Sequence, residues 1–140
     1  MGTNEDYNVL VRERSRLSEE YRACERRIGE CDELLKRLRP VKKQLVEIKS
    51  DFKPVMDGDQ KIGEETGSWR GTTVQKFQRQ MSDVNAENRY YFNGSLDYAL
   101  DALNDRITEI ENKKAKEFGL LGRLAAAINS LANRIENYFN

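Results

Sequence analysis

Apolar residues fall into a seam over the first third of the chain. Leu17, Cys24, Cys31, Leu38, Leu45 and Phe52 recur every seven residues, and Tyr21, Ile28 and Leu35 interleave with them at alternating spacings of four and three. That is the 3.5-residue repeat of a helix packing along a narrow line. Charged stretches such as Arg12-Glu13-Arg14, Glu19-Glu20 and Lys42-Lys43 fill the outward positions. Thr3 is placed to cap the first turn, with Glu5 and Asp6 favourable against the helix dipole. The pattern predicts helix one over about 5–53, closed by Pro54 and Asp57-Gly58. Pro40 lies inside it, and the step from Leu35 to Val41 is six residues rather than seven. A kink with a seam adjustment is expected there, because the Leu38–Leu45–Phe52 row continues unbroken.

The stretch 54–71 is rich in glycine, has no periodicity, and reads as the one loop. Thr72-Thr73-Val74-Gln75 matches a T-x-x-Q capping box and opens helix two, expected over about 72–138. Val74, Phe77, Met81, Val84 and Tyr91 share one face. Beyond Asn93-Gly94-Ser95 the stripe resumes out of phase from Leu96, which suits a kink near Gly94 better than a reversal. Leu121, Leu124, Ile128, Leu131, Ile135 and Tyr138 carry it to the C-terminus. No segment alternates as a strand does. The expectation is one all-α domain, 1–140, folded as a long antiparallel, coiled-coil-like helical hairpin.

Length then sharpens the picture. At 1.5 Å per residue the first helix would span roughly 74 Å and the second roughly 100 Å. About 18 residues of helix two, 121–138, would overhang with an apolar stripe and no internal partner. Such a stripe implies an external partner, which makes Leu121, Leu124, Ile128, Leu131, Ile135 and Tyr138 the expected partner-binding residues.

Composition argues against most chemistry. The 140 residues include 24 Lys+Arg, 24 Asp+Glu, two cysteines and no histidine. A net charge of zero gives no general attraction to nucleic acid, and the Arg-rich face of helix one is neutralised by interleaved glutamates. Without histidine the usual proton shuttle and commonest metal ligand are missing. Cys24 and Cys31 lie about 10.5 Å apart on one helix face, beyond disulfide reach, and read as seam thiols. Glu64-Glu65 has no apolar pocket to raise a pKa. No enzyme, cofactor or metal site is expected. No stretch is long and apolar enough to enter a bilayer, and MGTNEDYNVLVRERS lacks the apolar core of a signal peptide.

Trp69-Arg70-Gly71 sits at the bend. The single tryptophan can plug the open end of a helix pair, and Gly71 permits a backbone turn that other residues resist. With Phe77 six residues on, the chain resembles the WXG-motif superfamily of type VII secretion, and within it the small helical partner proteins encoded beside LXG-domain toxins of Gram-positive bacteria. The resemblance implies a targeting adaptor that binds the helical N-terminal domain of an LXG-type toxin, with room for a second small helical protein, and presents it to the type VII secretion machinery. It implies a cytoplasmic protein before export, on a route that uses no signal peptide. One departure stands out. The family's export signal, an aromatic followed four residues later by an acid, is not legible: Tyr98 is followed by Ala102 and Phe118 by Gly122. The signal would then be the partner's, or a composite of both chains. The competing expectation is a self-associating coiled-coil scaffold with no toxin partner.

Overall fold

The computed structural model describes Thr3–Asn140, and the described chain is all-α. Helix α1 spans Asn4–Glu65, α2 spans Thr72–Tyr90, a π-helical turn spans Tyr91–Leu96 and α3 spans Asp97–Glu136. The N-terminal cap is reciprocal. The Asp6 amide donates to the Thr3 hydroxyl oxygen, and the Thr3 amide donates to the Asp6 carboxylate, both at 3.2 Å.

Helix α1 is longer than its sequence signals suggest. It runs 62 residues, through Pro40, Pro54 and Asp57-Gly58, so the expected end at 53 and the loop from 54 are corrected. The two prolines lie two heptads apart, on the outward face, and both are exposed. A carbonyl freed there can turn to water, which removes most of the penalty that ends a buried helix. The helix stops only at Glu65. The loop is correspondingly short.

Gly71 turns the chain into α2 with a φ of 123°, in a region open essentially to glycine. The expected capping box does not form. Gly71 is the N-cap, no side chain caps the helix, and the Gln75 amide donates to the Gly71 carbonyl instead. A Cβ at Gly71 would meet open space, so Gly71→Ala tests backbone strain alone. It should cost about 1–3 kcal/mol by chemical denaturation.

At Asn93-Gly94-Ser95 the helix continues through the π turn. A π turn inserts one residue into the helical repeat, which rotates all that follows. This is why the apolar stripe resumes out of phase.

The chain divides into two compact units, Met1–Lys36 with Thr108–Asn140, and Arg37–Ile107. In the first, the start of α1 and the end of α3 pack antiparallel. The Tyr138 hydroxyl donates to the Thr3 carbonyl at 3.1 Å, Arg27 pairs with Glu117 at 2.9 Å, and Lys114 pairs with Asp32. Cys24, Ile28, Cys31 and Leu35 are buried, as are Ile110, Leu124 and Leu131. Leu124 clusters with Cys24 and Ile28, flanked by Leu17, Tyr21, Leu120 and Leu121. Tyr7, Tyr138 and Phe139 close the end with ring centroids 4.9–5.7 Å apart. The expected overhang is therefore corrected. Residues 121–138 lie against the first turns of α1, which α1 can supply because its own length nearly equals that of the helical run opposite.

One polar group is built into this core. The Cys24 thiol donates to the Glu117 carbonyl and carboxylate at 3.0 and 3.1 Å, and Arg27 Nε donates to the same carboxylate. These bonds, Arg27 first, hold the Glu117 carboxyl below its usual range, while burial and then Glu117 push the thiol up. A depressed native pKa means the unfolded state takes up its proton first. The stability from Glu117 is present above the ordinary carboxylate range and is lost as pH falls through that range toward the native value. Glu117→Gln should flatten the acid limb of stability measured by urea titration from neutral to acidic pH, with the neutral limb lowered.

Candidate protein-docking surface

The unit Arg37–Ile107 is a hairpin of α1 with α2, the π turn and the start of α3. Its register is read from five cross-helix pairs. Lys49 pairs with Asp97, and Phe52 packs on Tyr91 and Phe92, with centroids at 4.9 and 6.4 Å. Asn88 donates to Asp59 at 2.8 Å, and Gln78 donates to the Thr66 carbonyl. In heptad terms Met56 and Gly63 are a positions on α1, and Leu38, Leu45, Phe52, Asp59 and Thr66 are d positions. On α2, Gln78, Asn85 and Phe92 are a′, and Met81 and Asn88 are d′.

Toward the loop this seam is filled with polar groups. Asp59, Gly63 and Thr66 face Gln78, Asn85 and Asn88, with Met56, Val74 and Met81 as the apolar members. Thr66 is buried, and its hydroxyl donates back to the carbonyls of Ile62 and Gly63 at 3.2 Å. Gly63 allows close approach, since a Cβ there would come within 3.1 Å of the Asn85 amide. The buried Oδ1 of Asn85 has no hydrogen-bond partner among the described residues. Such a seam fixes register better than it stabilises.

The apolar residues of this unit stand beside the seam. Val41, Ile48, Val55 and Ile62 repeat every seven residues at the g position of α1, and Phe77, Val84 and Tyr91 do so at g′ of α2. In an antiparallel pair the g and g′ rows flank the seam on one side and the e and e′ rows on the other. All seven are 38–55% exposed. On the other side stand Lys53, Gln60, Ser82 and Arg89, with Val46 the lone exposed aliphatic. A third apolar row beside a and d is the pattern of a helix built for a bundle rather than a simple pair. One side of the hairpin is greasy and uncovered.

Among the expected motif residues, Phe77 stands in the g′ row and Gly71 makes the turn. Trp69 does not plug the bend. It is 57% exposed, and buried Thr66 occupies the seam position at the end of the pair. Of the six residues expected to bind a partner, Leu124 and Leu131 are buried, and Leu121, Ile128, Ile135 and Tyr138 are half-buried. The sequence held a signal for the rows found instead. Val41 belongs to the unbroken g row, so no seam adjustment occurs at Pro40.

No helix among the described residues is long and apolar enough to cross a membrane, and no cluster of three potential metal ligands occurs among them. Comparison with protein-family models, curated proteins and solved structures finds no match.

Proposed function

We propose that this chain is a non-enzymatic adaptor that binds the helical N-terminal domain of an LXG-type toxin and supports its export by a type VII secretion system. The observation that carries the binding role is the apolar g/g′ side of the loop-end hairpin, seven side chains each more than a third exposed. Their exposed area, roughly 600 Å², is at the upper end for the largest patch on a monomer. The docking mode that suits it is helix-in-groove, with apolar side chains of a partner helix seated between the two rows. The toxin as partner comes from the Trp69-x-Gly71 bend and its resemblance. An exposed indole at that bend supports the reading, because tryptophan is favoured in interfaces.

Co-expression with the helical domain of an adjacent LXG-type toxin, followed by size-exclusion chromatography, tests the proposal. A stable co-eluting complex is expected, and separate elution at micromolar concentration would refute it.

A further inference from the structure

We infer that α2 is a strap, which lifts from α1 as one unit while the rest of the Arg37–Ile107 unit stays folded. The lifting stands on its own. Its effect on partner binding rests on reading the g/g′ side as a docking surface.

The first observation is burial. Among the described helices α2 alone buries no residue, and the stretch of α1 opposite it, 55–65, buries none either. The buried apolar residues of this unit, Leu96 and Ile107, lie on the π turn and on α3. Segments that bury little apolar surface are those that open below the free energy of global unfolding.

The second is the seam itself. Asn88 donates to Asp59 at 2.8 Å and Gln78 to the Thr66 carbonyl. Water can replace both bonds, so they hold the register without strongly resisting separation. The Oδ1 of Asn85 favours opening: it is buried without a partner among the described residues when the seam is closed, and meets water when it parts. A cleft of about 300 Å³, whose walls include Gln60, Gly63, Gln78, Met81 and Asn85, already brings solvent to the edge of this seam.

The third is what bounds the element. At the loop end stands Gly71, with its φ of 123°, and at the other end the π turn breaks the α-helical hydrogen-bond ladder. Hinges are a few element-terminal positions of this kind. Past α2 the chain is clamped. Phe52 packs on Tyr91 and Phe92, and Lys49 pairs with Asp97 and lies 4.7 Å from the Phe92 ring centroid. Opening therefore runs from the loop to this clamp and stops there. It carries Phe77 and Val84 away from Ile62, so a partner helix seated between the two rows would hold the strap shut.

Hydrogen exchange of the full chain tests the inference. A freed helix of 19 residues is marginal in water, so lifting registers as exchange along its whole length. Amides of 76–90 should share one protection level, at least about tenfold below that of 98–107 in α3, with a shallower dependence on urea. Asn85→Leu removes the unpartnered oxygen and should raise α2 protection about tenfold. Phe52→Ala should let the π turn, 91–96, exchange together with α2. Circular dichroism confirms that each variant is folded. Equal protection of 76–90 and 98–107, protection that climbs steadily away from the loop as in simple fraying, or no gain in Asn85→Leu would each overturn the strap. Adding the helical domain of an adjacent LXG-type toxin should slow α2 exchange at least about tenfold. Binding without that slowing overturns the link between strap and docking side, whereas absence of binding overturns the toxin reading alone.

Discussion

Truncating Leu124 to alanine should lower the unfolding free energy by about 2–4 kcal/mol, the range for a buried leucine whose cavity only partly collapses. Leu124 is buried against Cys24 and Ile28, and its neighbours Leu120 and Leu121 are packed on the same cluster. Leu35→Ala, at the other end of that core, should cost a similar amount. Leu45→Ala, half-buried beside the polar loop-end seam, should cost less. An overhanging helix would give the reverse order, because removing an exposed methyl cluster leaves no cavity. Urea denaturation followed by circular dichroism measures all three. A loss at Leu124 well under that at Leu45 would mean that the end of α3 does not pack on α1 in solution.

That ranking turns on how far α1 extends, and this was the least legible part of the fold. Helical periodicity identified both helical runs, the seam residues Cys24, Ile28, Cys31 and Leu35, and the phase shift near Gly94. Each of these depends on the spacing of apolar side chains, which a sequence displays directly. The end of α1 does not. Pro54 and Gly58 are ordinary stop signals, and their force depends on whether the freed carbonyls and missing side chains face the seam or water. Both residues are exposed on the outward side. Twelve further residues of helix follow from that orientation, and they abolish the overhang.

The docking rows were legible but misassigned. Val41, six residues after Leu35, resembles a slipped seam residue only if the seam is required to be apolar. Asp59, Thr66, Gln78, Asn85 and Asn88 show that it is not. Once polar residues hold the seam, the seven-residue row through Val41 and Ile62 is free to stand beside it. The same reasoning accounts for Trp69. A plug at the bend is the expectation for an apolar seam, whereas this seam ends on buried Thr66, bonded to carbonyls of its own helix and to Gln78, and the indole stands 57% exposed.

The polar seam and the apolar flank together place partner binding at the loop end, and a charge pair there gives the largest expected effect on capture. Ile62→Glu combined with Val84→Glu should weaken binding of the toxin's helical domain by more than about 100-fold, since two carboxylates would be desolvated at the centre of an apolar contact. The unfolding midpoint of the isolated variant should stay close to wild type, because both side chains are already over a third exposed and neither sits in the seam. Val46→Glu, with a valine 49% exposed on the opposite side, should bind almost as wild type does. Titration calorimetry with the purified toxin domain separates the cases. If the double variant binds unchanged while Ile128→Ala or Ile135→Ala weakens binding tenfold without altering the midpoint, the contact lies along the end of α3, and the g/g′ rows serve another purpose.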